Sequence, residues 1–304
     1  MKEFFVALCI LFSALLWSEG LPKIEYNELA VGEEQTLEIM GWNIQNFPKS
    51  EFTIDYAAKV IDAIDPDIAA LQEIESDSAF FCLVNELNKL DKHNWSGYRA
   101  NRNYWKQELA FIYKTDQIGV DKIYEIFYGD YKPFPRYPLV MECYYHDQKL
   151  VIIDNHYKAR TDKESRERRL EASGKLDKWI EENHPNDNVV MLGDMNDQLC
   201  DADSVNVFTP FLAKPDEYKF VDYQIAANDS ADWSYPYWKY RGHLDHILIS
   251  NELYDEFADG GDFVKVVTVD KFMEGGDDAR YKYITDHRPI VIKLKFEVPE
   301  KEKK

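Results

Sequence analysis

Positive charge is what this 304-residue chain has least of: 36 Lys and Arg stand against 56 Asp and Glu, for a formal net charge of -20. An acidic chain of this kind does not hold nucleic acid tightly through its overall field, because phosphate contacts dominate such affinity. That weighs against a simple binding protein for nucleic acid. It leaves room for an enzyme, which needs only transient contact and can set a divalent cation between its own carboxylates and a phosphate. Cysteine is also scarce. Cys9, Cys82, Cys143 and Cys200 form no CxxC pair, so no zinc site is expected. No Pro/Gly/Ser-rich linker, repeat or low-complexity segment divides the chain, and 45% hydrophobic content can fill one sizeable core. Nor is there a long apolar run. Phe4 to Trp17 falls short of the ~18 residues of a spanning helix.

What that run does resemble is an export signal. Lys2 precedes it and the small residues of Ser18-Glu19-Gly20 follow it, so residues 1–20 read as a signal peptide removed on export. The expectation is a secreted or periplasmic protein with no stable membrane association. Its single domain spans residues 21–304 and ends in a short charged tail. Three cysteines would remain, enough for one disulfide and one thiol left over.

Strand-like and helix-like segments alternate along the domain. Residues 36–42, 68–71, 109–113, 139–145, 150–155, 189–194, 246–249, 263–269 and 289–296 read as strands. Residues 56–64, 80–90 and 165–183 read as helices, the first stopped by Asp65-Pro66. Such mixing predicts sheets packed together and covered by helices.

Polar clusters fall where the predicted strands end, and rims of this kind carry function. Val189-Val-Met-Leu-Gly-Asp-Met-Asn-Asp197 is an apolar strand running into Asp194 and Asn196, which share one face of an extended backbone. Thr285-Asp-His-Arg-Pro-Ile290 supplies Asp286 and His287. Asn43, Glu73, His156 and Asp245 close or open further strands, and Glu108 begins another. Carboxylates, carboxamides and imidazoles gathered at one rim can hold a hard metal ion and activate water, the chemistry that hydrolyses a phosphate ester.

As a set, the motifs Trp42-Asn-Ile-Gln-Asn-Phe47, Asp67-Ile-Ala-Ala-Leu-Gln-Glu73, Gly193-Asp-Met-Asn196, Leu244-Asp-His246 and Thr285-Asp-His-Arg-Pro289 resemble the endonuclease/exonuclease/phosphatase superfamily. Within it the chain is most similar to pancreatic-type deoxyribonucleases and secreted bacterial nucleases. The likeness runs from about Leu37 to Phe296. It implies an α/β four-layer sandwich, two packed mixed β-sheets flanked by helices, with the site at one rim. It also implies Glu73 as principal metal ligand, with Asn43 and Asp286 nearby. Mg²⁺ is the expected ion, with Mn²⁺ able to substitute, since oxygen donors and retained waters suit it.

By the same resemblance Asp194 would orient or deprotonate the attacking water, and Asn196 would donate to the scissile phosphate. His287 is expected to bond Asp245, and His156 to bond Glu108, each carboxylate favouring the charged imidazole. Arg136 and Lys158 would contact phosphate. The expected substrate is nucleic acid, DNA first. The alternatives are a phosphatase or phospholipid phosphodiesterase on the same fold, or a non-catalytic binding module.

Two features bear on the substrate. Residues 233–241 interleave Trp233, Tyr235, Tyr237, Trp238 and Tyr240 with Lys239 and Arg241, a pattern suited to stacking bases and meeting phosphates. Glu75 stands where the pancreatic-type enzymes carry a groove-reading Arg, so their duplex-binding mode does not transfer. Arg166, Arg168 and Arg169 read as the solvated face of the third helix.

Overall fold

The structure, a computed structural model, describes residues 21–102, 106–228, 232–237 and 240–297. The expected signal peptide, the tail beyond Glu297, and Trp238 and Lys239 of the aromatic loop lie outside these residues. Among the described residues, no helix is long and apolar enough to cross a membrane. Cys82, Cys143 and Cys200 are all free, so the possible disulfide does not form.

Two six-stranded sheets make the centre. The first contains β1 (Leu37–Phe47), β2 (Ile68–Ile74), β3 (Trp95–Arg99), β4 (Glu108–Lys114), β11 (Val264–Val266) and β12 (Ile290–Leu294), in the order β11-β12-β1-β2-β4-β3. The second contains β5 (Ile118–Glu125), β6 (Leu139–Tyr145), β7 (Gln148–His156), β8 (Asn188–Asp194), β9 (Tyr218–Phe220) and β10 (Asp245–Ser250), in the order β5-β6-β7-β8-β10-β9. At the heart of each sheet is one parallel pair, β1 with β2 and β7 with β8, while the neighbouring ladders are antiparallel. A parallel pair needs a crossover. Here α1 (Thr53–Ile64) joins β1 to β2, and α3 (Lys163–Asn183) joins β7 to β8. α2 (Asp77–Lys89) follows β2.

The order of layers follows from which side chains each strand sends to each face. Ile39, Ile68, Met141, Ile152, Leu192 and Ile247 meet in the inner core between the sheets. Trp42, Met40, Ala69 and Leu71 face the other way, onto Val60 and Ile61 of α1 and Phe80 and Leu83 of α2. Val151, Ile153, Val189 and Met191 face Ala172, Leu176 and Ile180 of α3. Helices, sheet, sheet and helix give the expected four-layer sandwich. At Gly41 the sheets approach closely: a Cβ there would stand 3.3 Å from Leu192.

Helix ends follow local chemistry. Ser76 caps α2 by accepting from Ala79 N at 3.2 Å, and Asp162 caps α3 by accepting from Ser165 N at 3.0 Å. α1 stops where Asp65 turns left-handed (φ 63°) before Pro66. The strand expected over residues 263–269 is shorter, Val264–Val266, and a 3-10 turn follows at Val269–Phe272. Arg169 also departs from expectation. It is not on a solvated face but 2% exposed, paired with Asp197 at 2.9 Å, and donates to the carbonyls of Lys158 at 2.6 Å and Arg160 at 2.7 Å.

Candidate active site

Parallel central pairs deliver their C-terminal ends to one rim. In the ladders Asn43 lies opposite Gln72, next to Glu73, and His156 lies opposite Asp194. Asp194 also faces Asp245 at the start of β10. The register slips between Asn43 and Phe47 and again between Leu71 and Ile74, and this irregularity turns Glu73 out of the pleat (φ 64°). Gln45, Asn46 and Asn196 also hold positive φ. Backbone in that region costs about 1–3 kcal/mol per residue, and it clusters here around the polar groups.

Seven of the predicted residues, Glu73, Arg136, His156, Asp194, Asn196, Asp286 and His287, line one cleft of about 600 Å³. Asn43 and Asp245 stand behind it. Asn43 Nδ2 bridges the two sheets, donating to Asp194 Oδ2 at 3.0 Å and Glu73 Oε1 at 3.3 Å. Lys158 lines a neighbouring cleft with Arg136. Glu108 is buried at the start of β4, but the expected bond to His156 is absent: His156 Nδ1 has no hydrogen-bond partner among the described residues.

The two histidines differ. His287 Nδ1 bonds Asp245 Oδ2 at 2.7 Å, and its Nε2 faces Asp194 at 3.7 Å and Asp286 at 4.0 Å. Burial would strip its proton, but Asp245 and Asp194 outweigh burial and push its pKa up to about 10. His156 Nε2 points at Asp194 (3.4 Å) and Glu73 (3.9 Å). Burial, together with the positive Arg136 and His287, holds His156 well below its ordinary value, so it is neutral. The expectation that both imidazoles are charged is therefore corrected for His156, which lacks a carboxylate behind it. Asp194 lies between them. Burial raises its carboxyl, His287 draws it back, and the net value is about 7.

The donor set suits a hard divalent cation. Glu73 accepts only from neutral groups: Asn43, the Asn46 amide N at 2.9 Å and Gln107 at 3.1 Å. Asp286 Oδ2 accepts from Gln45 at 2.6 Å, while its buried Oδ1 has no hydrogen-bond partner among the described residues. Two carboxylates with free oxygen capacity match the oxygen preference of Mg²⁺ or Mn²⁺. Asn43 presents its N–H groups to the carboxylates and its oxygen to Gln45 N, which leaves that oxygen one lone pair for a metal ion.

Several positioning groups escaped the sequence reading. Gln45 and Gln107 sit inside the quoted motifs, so their place was legible although their role was not. Arg136 donates to Gln107, which in turn donates to Glu73. Thr285 Oγ1 donates to Asn43 O at 2.8 Å and accepts from His287 N at 3.2 Å. The buried Arg280 holds the carbonyls of Thr285 (2.5 Å) and His287 (3.0 Å). In the aromatic loop, the Tyr235 ring lies 4.8 Å from the His287 ring.

A second polar cluster has a structural explanation. Asp222, His243 and His246 are buried with ligand atoms within 4.8 Å of one another. Asp222 Oδ2 accepts from His243 Nε2 (3.0 Å) and His246 Nδ1 (2.6 Å), and Oδ1 from Ile247 N (2.9 Å). His246 Nε2 donates to Asp197 O at 2.9 Å, and His243 Nδ1 accepts from Ser234 N at 3.3 Å. Every ring nitrogen is thus used without a metal.

No curated protein matches the sequence. Solved structures share the fold at low identity. D. rerio TDP2 complexed with single strand DNA product is 15% identical, with a TM-score of 0.63 over 86% of this chain and 100% of that one. The human Nocturnin catalytic domain with bound sulfate anion is 16% identical, TM-score 0.61, over 88% and 97%. An endonuclease/exonuclease/phosphatase from Bacteroides vulgatus is 14% identical, TM-score 0.60, over 87% and 100%. The sequence profile of the Endonuclease/Exonuclease/phosphatase family matches residues 40–287, which is most of the chain and includes every polar cluster described above. The chain belongs to that family.

Proposed function

We propose that the protein is an exported, divalent-metal-dependent nuclease that hydrolyses DNA phosphodiester bonds by in-line attack of water. One observation carries the reading: Asp194 stands between a charged and a neutral imidazole, at 3.7 Å and 3.4 Å, beside the oxygen cluster of Glu73 and Asp286. A dication held by Glu73 and Asp286 would polarise the phosphate and neutralise charge developing on it. Asp194, in its ionised form, takes the proton of the attacking water. His287, held charged by Asp245, donates to the phosphate oxygens or the leaving oxygen. Neutral His156 orients the phosphate through Nε2, and Asn196 lines the same cleft as a neutral donor. Tyr235 and the exposed Tyr240 also line that cleft and offer rings to a base. The single strand DNA product held by D. rerio TDP2 supports DNA as the first substrate to test.

The test is cleavage of supercoiled plasmid, linear duplex, single-stranded DNA and RNA, each with Mg²⁺, Mn²⁺ or EDTA. Metal-dependent nicking is expected, lowered about 10²–10⁴-fold in Asp194→Asn and His287→Ala. Glu73→Gln should raise the Mg²⁺ requirement by about tenfold or more. Near-normal turnover in either catalytic variant would sink the mechanism. A folded protein that cleaves none of the four nucleic acids would be reassigned to phosphatase or phospholipid phosphodiesterase chemistry.

A further inference from the structure

The chain has ten arginines, and six of them surround one mouth. Arg136, Arg160, Arg166, Arg169 and Arg241 line the catalytic cleft. Arg136 and Arg160 also form the wall of the adjoining cleft, about 580 Å³, which adds Lys158 and Arg168. In a molecule of net charge -20, this concentration opposes the overall field and needs a local reason.

Pairing within the chain accounts for part of this set: Arg168 donates to the carbonyls of Lys132 and Tyr131, and Arg136 donates to Gln107. Arg169 is tied to Asp197 and to two carbonyls, as Arg288 is tied to Asp270 at 2.6 Å elsewhere. By contrast, no carboxylate among the described residues lies within ion-pair distance of Arg136, Arg160 or Arg166. Arg136 Nε and Arg166 Nε are buried N–H donors with no acceptor among those residues. A buried donor without a partner is costly, so two in one cleft point to an acceptor that arrives from outside. On the Arg166 wall Asp197 and Asp201 balance Arg166 and Arg169, whereas the adjoining cleft sets Arg136, Lys158, Arg160 and Arg168 against Glu75 and is net positive.

Arg136 has its role beside the reacting phosphate. Arg160 and Arg166 do not, because the residues that activate water and hold charge there are already in place without them. Arg160 is presented on a left-handed backbone (φ 86°), its carbonyl clamped by Arg169, and Arg166 projects from the first turn of α3. The backbone of each is thus anchored at the mouth of the cleft, and a guanidinium matches a phosphate's geometry. We infer that Arg160 and Arg166 form a second phosphate subsite, so that the preferred substrate carries a phosphate beyond the one hydrolysed. The inference rests on the reading of this cleft as a phosphoesterase site. A neighbouring phosphate of a polynucleotide and the additional phosphate of a small phosphorylated ester present the same chemistry.

The test is binding without turnover. The full chain with EDTA present is titrated by calorimetry with thymidine 5′-monophosphate and thymidine 3′,5′-bisphosphate, and in parallel with inositol 1-phosphate and inositol 1,4-bisphosphate. At least one bisphosphate should bind about tenfold or more tighter than its monophosphate, and the preferred pair identifies the source. Arg160→Gln/Arg166→Gln should erase that advantage. Both positions are solvent-accessible and leave the buried Arg169 in place, so the fold should survive, and circular dichroism checks it. Equal binding of mono- and bisphosphate in both series, or an advantage that persists in the double variant, overturns the subsite. Failure to cleave nucleic acid would bear on the proposed activity alone, since this measurement does not depend on hydrolysis.

Discussion

Gly193 shows how little latitude a single residue of the site has. Its φ is 129°, and a Cβ there would stand 2.1 Å from Asn155 O. That carbonyl belongs to the strand that delivers His156, and Gly193 precedes Asp194, so one methyl would push the two apart. Gly193→Ala should destabilise the fold by roughly 3 kcal/mol or more and remove turnover, read as a lower urea midpoint and lost cleavage. A variant of unchanged midpoint would contradict the close approach. The sequence revealed Gly193, Asp194 and Asn196 because an apolar run ends abruptly in polar residues. It also located Glu73, Asn43 and the Asp245–His287 pair. It misassigned the partner of His156, because which carboxylate lies behind a ring depends on how two sheets pack, and no local pattern records that. The same limit hid Arg280 and Thr285, whose work is to hold backbone.

Among the elements, those with long apolar runs were legible: β1, β2, β4, β6, β7, β8, β10 and the three long helices. β12 and the edge strand β11 were read as well, β11 over too long a span, whereas the edge strands β3, β5 and β9 were missed because they bury less and carry a weaker pattern. Short helices such as Tyr223–Ala227 have too few turns for periodicity to show. β10 illustrates what holds an element to its neighbours. Burial works against a charged His246, yet Asp222 raises its pKa above the ordinary 6.5, while the two histidines depress Asp222 despite burial. A raised His246 adds stability that is complete below pH 6.5 and is lost as pH rises through its folded value. A depressed Asp222 adds stability that is present above pH 3.8 and is lost as pH falls through its own. Asp222→Asn strands a buried cation and should cost about 3–5 kcal/mol near pH 6. Urea melts at pH 6 and pH 9 should show the penalty shrinking at the higher pH; an equal penalty at both would remove His246 from the pair.

For the molecule as a whole, charge sets the reach of binding. With -20 overall and cations gathered at one mouth, few phosphates can be met at once. The slope of log K against log salt for duplex DNA should be no steeper than about −4, since each phosphate neutralised contributes ~0.9. A slope near −10 would mean a far larger cationic face than the structure presents.

Because Glu73 and Asp286 come from one sheet while Asp194 and His156 come from the other, the apolar filling between the sheets sets the spacing of the reactive groups. Leu192 belongs to that filling, whereas Leu83 packs only on the outer face. Leu192→Ala and Leu83→Ala should each cost about 2–5 kcal/mol. At a temperature where both remain folded, Leu192→Ala should lose turnover several-fold more, since a shift of about 1 Å in alignment is enough to cost rate. The interior is then a gauge block as well as a source of stability, and the tolerances of the chemistry are written into hydrophobic residues that never touch the substrate.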